Sequence, residues 1–220
     1  MRTVLSPVLL FLALLFIANS APLSEPDLKN LLNGIRQNRI TQADFQEQRM
    51  IRLMKKPILS SGKVWFQAPN KFRREVKGSS PSLTVSDGRQ LWIYYPNFKS
   101  AERYPLGKGS PLDSTVAAIN SSLNLEDVEN TFQIAATKTD SPQAGYELTL
   151  LPRAASMKRV FQKLELRIND QLRVERTDMQ LPNGDRIVTT YSNQTRGPVP
   201  ASMFEFTPPT GTEVSTPLGK

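Results

Sequence analysis

The spacing of apolar and polar residues changes period along this chain, and the changes mark its elements. Ser24-Glu25-Pro26-Asp27 reads as a helix start: Ser24 can cap, Pro26 suits the first turn, and Asp27 completes a capping box. Leu28, Leu31, Leu32 and Ile35 then recur on one helical face, which predicts an amphipathic helix ending near Asn38. Period two follows. Phe45, Glu47, Arg49, Ile51 and Leu53 alternate with Gln46, Gln48, Met50, Arg52 and Met54 up to a break at Lys55-Lys56-Pro57. Further strands are predicted over residues 61–66, 72–76, 82–85 and 91–95. Turn signals separate them at Ala68-Pro69-Asn70, Gly78-Ser79-Ser80-Pro81 and Ser86-Asp87-Gly88.

The middle of the chain differs. Ser110-Pro111-Leu112-Asp113 repeats the helix-start logic, with Leu112, Val116 and Ile119 as an apolar stripe, and a second short helix is predicted from Asn124 or Leu125 to Val128. Strands return over 131–137, 145–151, 160–168, 172–181 and 186–191. In the 160–168 segment Val160, Gln162, Leu164, Leu166 and Ile168 share one face, and Phe161, Lys163, Glu165 and Arg167 the other. About ten short antiparallel strands, one preceding helix and one helical insertion make a single α+β domain.

Composition narrows the chemistry. Met1-Arg2, an apolar run from Val4 to Ile17 and the small residues Ala18-Asn19-Ser20-Ala21 read as a secretory signal over residues 1–20, cleaved after Ser20 or Ala21. The run is short for a membrane anchor, which needs about 20 apolar residues. Residues 21–220 are then the exported domain, expected to be monomeric and periplasmic. With neither cysteine nor histidine among 220 residues, disulfides, thiol chemistry, a Ser-His-Asp triad and a lipid-bearing N-terminal cysteine are excluded. A catalytic metal site is not expected either. Asp87 reads as a turn former, Asp113 and Asp127 as cap residues, and the scattered acids form no general acid/base pair, so no enzyme and no cofactor is expected. The net charge of +8 favours an anionic partner, but export argues against nucleic acid, and a solvated basic surface fits equally well.

Three stretches carry a resemblance. Phe45-Gln46-Glu47-Gln48, then Ser60 to Phe66 with Pro69-Asn70-Lys71-Phe72-Arg73, and then Val85-Ser86-Asp87-Gly88-Arg89-Gln90-Leu91-Trp92-Ile93-Tyr94 resemble the outer-membrane lipoprotein carrier family, LolA. So does the ending Phe204-Glu205-Phe206-Thr207-Pro208-Pro209 through Val214. The resemblance implies an incomplete, half-open antiparallel barrel covered by lid helices, with an apolar cavity for acyl chains. It implies acylated lipoprotein or lipid cargo, taken from an inner-membrane transporter and handed to an outer-membrane receptor. Two positions depart from the family pattern: Ala68 stands where members often carry an arginine that can hold the lid closed, and Arg74 where they often carry tryptophan.

On that resemblance the cavity candidates are Phe72, Val76, Leu83, Val85, Leu91, Trp92, Ile93, Tyr94, Leu148, Leu150, Leu164, Leu166 and Ile168. Each also fits ordinary core, and Trp65, Trp92 and Tyr94 equally fit cross-strand packing. Leu112, Val116 and Ile119 are the lid candidates. In a regular strand Arg74 shares a face with Phe72 and Val76, so it is a candidate latch or head-group contact, with a lid acid such as Asp113 or an anionic cargo as partner; a bulge or a rim arginine in water is the alternative. Two other functions fit the same features: a periplasmic lipid- or lipoprotein-sensing regulatory protein, and a basic membrane-surface binding module.

Overall fold

In the computed structural model, residues 21–68, 70–107, 125, 128–139 and 144–217 are described. The predicted signal over residues 1–20 and the lid candidates Leu112, Val116 and Ile119 lie outside them. Ser24 caps helix α1 (Glu25–Gln37), accepting from the Asp27 amide at 3.4 Å, with Pro26 in the first turn. Leu31, Leu32 and Ile35 are buried, at roughly 1.5–3 kcal/mol each. Arg36 ties the far end of α1 to the central segment, through Nη2 to Glu129 at 2.8 Å and Nε to the Leu125 carbonyl at 3.2 Å.

The strands are β1 (Gln42–Met50), β2 (Ile58–Gln67), β3 (Lys71–Lys77), β4 (Ser82–Ser86), β5 (Gln90–Tyr95), β6 (Ser100–Pro105), β7 (Phe132–Thr139), β8 (Gly145–Pro152), β9 (Lys163–Asn169), β10 (Val174–Gln180), β11 (Arg186–Thr195) and β12 (Glu213–Ser215). They form one sheet in the order β12-β6-β5-β4-β3-β2-β1-β11-β10-β9-β8-β7. Neighbours run antiparallel except the parallel pair β12–β6. β7 and β12 are the two ends of that order, so the sheet is not closed: an open barrel with helices, in the α+β class expected.

One face of the sheet carries the main core. Ala43, Phe45, Val64, Phe66, Phe72, Leu91, Leu148, Leu150, Leu164, Leu166 and Ile168 gather there with the α1 residues, Leu125, Phe132 and Phe161. We call this the inner face. Gly62 is indispensable to it, because a Cβ there would lie 1.7 Å from the Glu75 carbonyl oxygen and 2.9 Å from Phe45 Cε1.

Several elements differ from the sequence expectation. β6 is absent from it, since Ser-Ala-Glu-Arg-Tyr-Pro lacks alternation and ends in proline, as tolerated near a sheet edge. β1 stops at Met50, so Leu53 lies in a turn. β9 starts only at Lys163, after a helical turn at Ala155–Lys158, and Phe161 is therefore buried although alternation places it on the other face from Leu164. Leu125 has a positive φ of 48° and the adjoining helical turn is Val128–Thr131, beginning where the predicted one ends.

Candidate functional site

Strand register divides the predicted cavity residues into two sets. Phe72, Arg74 and Val76 of β3 face Ser86, Thr84 and Ser82 of β4, and Thr84 and Ser86 face Ile93 and Leu91 of β5. In the other half, Leu148 pairs with Leu166 and Leu150 with Leu164, and all four are fully or almost fully buried. Phe72, Arg74, Val76, Leu91, Ile93, Leu148, Leu150, Leu164, Leu166 and Ile168 therefore share the inner face with α1.

Leu83, Val85, Trp92 and Tyr94 do not. Leu83 pairs with Tyr94 and Val85 with Trp92, which puts all four on the outer face. Trp65, paired with Arg73, lies there too, and its Nε1 donates to Gln42 at 2.8 Å. The C-terminal segment covers part of this outer face: the Phe206 ring packs 5.6 Å from Trp92 and 5.5 Å from Tyr94, and Arg73 donates to the Met203 carbonyl at 3.3 Å. Val85 and Phe204, each 1 % exposed, thus belong to a small second core outside the main one. The cavity candidates of β4 and β5 thus fall on two faces, and both faces are covered, by different parts of the chain.

The inner face grades from apolar to polar along its strands. Beyond Phe45 and Phe72 it opens into a cleft of about 690 Å³, within the range of about 300–1,000 Å³ usual for ligand sites. Glu47, Arg49, Ile58, Ser60, Arg74 and Val76 contribute to its wall. The geometry follows from Gly62: the Phe45 ring occupies the space a side chain there would fill, and the Arg74 guanidinium lies 4.3 Å from the centroid of that ring. From this stacked position Arg74 Nη2 donates to Glu47 Oε2 at 2.8 Å. The hydroxyls of Thr189 and Ser60 each approach the Glu47 carboxylate at 3.5 Å. The Arg74 partner in the structure is thus Glu47 of β1; Asp113, the partner suggested from sequence, is outside the described residues. Tyr191, opposite Phe45, has its phenol pushed up to about 12, first by burial. Ala68 is exposed in the turn after β2.

Glu47, Phe45 and the serines of the cleft are not among the cavity candidates taken from the sequence. The alternation of β1 is a signal for Phe45 and Glu47, but their meeting with Arg74 depends on the register of two successive hairpins. A second hollow, of about 230 Å³, lies on the outer face among Glu147, Glu165, Arg167, Arg176, Asp178 and Arg186. Its own ion pairs largely satisfy it: Asp178 accepts from Arg186 and, at 3.0 Å, from Arg176. Six of its nine lining residues are charged, beside Leu148, Thr149 and Leu166.

The comparisons agree with this architecture. A protein from Thermus thermophilus, described as an uncharacterized conserved protein, has the same fold, with a TM-score of 0.55 at 14% identity over 86% of this chain and 99% of its own. The chain is 29% identical to the outer-membrane lipoprotein carrier protein of Dechloromonas aromatica (strain RCB), over 82% of this chain and 83% of the relative. It is 26% identical to the protein of that name from Actinobacillus pleuropneumoniae serotype 3 (strain JL03), over 100% and 97%. Residues 37–207 match the family described as outer membrane lipoprotein carrier protein LolA, and the chain belongs to that family.

Proposed function

We propose that this protein is a periplasmic carrier that shelters the acyl chains of lipoproteins, or of a related lipid, against its inner face and moves them from the inner to the outer membrane without catalysis. One observation carries the reading: an apolar surface inside an open sheet, continuous with a cleft at one end. Acyl chains cost about 0.8 kcal/mol per methylene exposed to water, so a sheltered apolar surface is sufficient driving force for uptake. Release requires that the surface not be sealed. The sheet stays open between β7 and β12, and α1, held on it by Leu28, Leu31, Leu32, Ile35 and the Arg36 contacts, is a removable cover. The donor is an inner-membrane transporter and the acceptor an outer-membrane receptor. The carrier acts as a monomer after removal of residues 1–20.

Incubating the exported chain with spheroplasts that hold newly made lipoprotein tests this. Lipoprotein should appear in the supernatant in a complex with the carrier, and should then pass to outer-membrane vesicles. Retention of all lipoprotein in the spheroplast membrane would refute it.

A further inference from the structure

We propose that the tip of the β1–β2 hairpin is a membrane-docking element, which seats on an anionic bilayer surface and presents the mouth of the cleft to it. Residues 52–59 are exposed without interruption. They are Arg52, Leu53, Met54, Lys55, Lys56, Pro57, Ile58 and Leu59: four large apolar residues, three cations and a proline, with no acid and no neutral polar side chain. Leu53 is 93 % exposed and Leu59 70 %, with Met54 and Ile58 about half exposed. Soluble proteins scatter such residues singly, so four within eight residues call for a covering partner.

The exposure is held in place. The Arg52 amide donates to Asp185 Oδ1 at 3.0 Å and the Met54 amide to the Ile51 carbonyl at 2.8 Å, so the turn is anchored on the neighbouring β10–β11 tip. That contact also draws the nearby acid inward: Asp185 is buried, and accepts from Asn183 as well. Between Glu47 and Glu75 the sequence has no acidic residue. The tip therefore presents positive charge and aliphatic side chains alone. That combination fits phospholipid: leucine, methionine and isoleucine enter the acyl boundary, while lysine and arginine extend to the phosphates. Each cation near an anionic leaflet strengthens attachment roughly five-fold. The tip also borders the cleft, since Ile58 and Leu59 belong to both. A hairpin seated in the interface thus brings the cleft to the level at which acyl chains leave or join a membrane.

The identity of what passes rests on the carrier reading; docking itself does not, and is tested on cargo-free vesicles. Leu53→Trp places a fluorophore at the most exposed position. With vesicles of phosphatidylcholine plus phosphatidylglycerol its emission should shift to the blue and be quenched by brominated acyl chains; with phosphatidylcholine alone the shift should be far smaller. In co-flotation, the parent should bind the anionic vesicles, and Leu53→Glu/Met54→Glu and Lys55→Glu/Lys56→Glu should each bind at least about ten-fold more weakly. All three variants change exposed turn residues, and circular dichroism verifies their folding. An unshifted emission of the introduced tryptophan with anionic vesicles overturns the proposal. So does equal flotation of parent and variants, or tip variants that lose only an acidic protein partner while the parent ignores vesicles. Fluorescent fatty-acid binding, measured without vesicles, separates loss of docking from loss of carrier function.

Discussion

Arg74→Leu should destabilise the protein by about 1.5–3 kcal/mol, and most of that loss should disappear when Glu47 is already neutral. The substitution removes an ion pair of 2.8 Å and a guanidinium stacked 4.3 Å from the Phe45 centroid. The side chains of Arg74 and Glu47 retain 28 % and 22 % of their exposure, so the pair is neither dry nor freely hydrated. With the charge centres about 4 Å apart and an effective dielectric of about 20, the Coulomb attraction is about 4 kcal/mol, and desolvation offsets more than half, leaving about 1–2 kcal/mol. The stacking on Phe45 contributes about 0.5–1 kcal/mol more. Glu47→Gln alone should then cost about 1–2 kcal/mol, and the double variant should fall short of the sum by about 1–2 kcal/mol. Arg74→Lys should restore the charge but not the planar stack and fork, and so recover only part. The assay is urea unfolding of the four proteins of the cycle at neutral pH, with Arg74→Lys alongside. Effects additive within about 0.5 kcal/mol would mean that the two side chains do not work as a pair. The same proteins, loaded with a fluorescent fatty acid, should show faster release for Arg74→Leu if the pair closes the floor of the cleft.

Phe206→Ala should cost about 1–3 kcal/mol in urea unfolding by removing two ring contacts on the outer face, and fatty-acid affinity should stay at the parent value. Gly62→Ala should cost at least about 1–3 kcal/mol and weaken fatty-acid binding, because the added Cβ collides with the Glu75 carbonyl and displaces the Phe45 ring; an unchanged urea midpoint would contradict the close approach of β2 and β3. Tyr191 and Tyr104 are both pushed up to about 12, chiefly by burial, from an ordinary value of 10.0. Their neutral forms are favoured by folding, so this stability is fully present below pH 10.0 and is lost between there and about pH 12; Tyr191→Phe should flatten the fall in urea midpoint over that window.

Local patterns carry the parts of the fold that local rules govern. Ser24, Pro26 and the spacing of Leu28, Leu31, Leu32 and Ile35 locate α1 because capping and helical periodicity are short-range. The alternation of Leu164, Leu166 and Ile168 locates β9 for the same reason. Period two cannot say which face of β4 and β5 is inner. Leu83, Val85, Trp92 and Tyr94 are apolar on one face, Leu91 and Ile93 on the other, and the distinction rests on Phe204 and Phe206, far away in sequence. The strands β6 and β12 escape notice because short strands at a sheet edge need no apolar alternation. The Arg74–Glu47 pair is out of reach for a further reason: it is fixed by the β1–β2–β3 register and by the absence of a side chain at Gly62.

The central claim is that acyl chains lie against the inner face, and methyl-resolved NMR with a spin-labelled fatty acid tests it most directly. A nitroxide near the end of the acyl chain broadens methyl signals close to it. Val76, Leu148, Leu150, Leu164, Leu166 and Ile168 supply reporters on the inner face, and Leu83 and Val85 supply them on the outer face. The expected result is strong, saturable broadening of the inner-face set, reversed by unlabelled fatty acid, with Leu83 and Val85 unaffected. Broadening centred on Leu83 and Val85, or no saturable broadening at either set, would contradict the account.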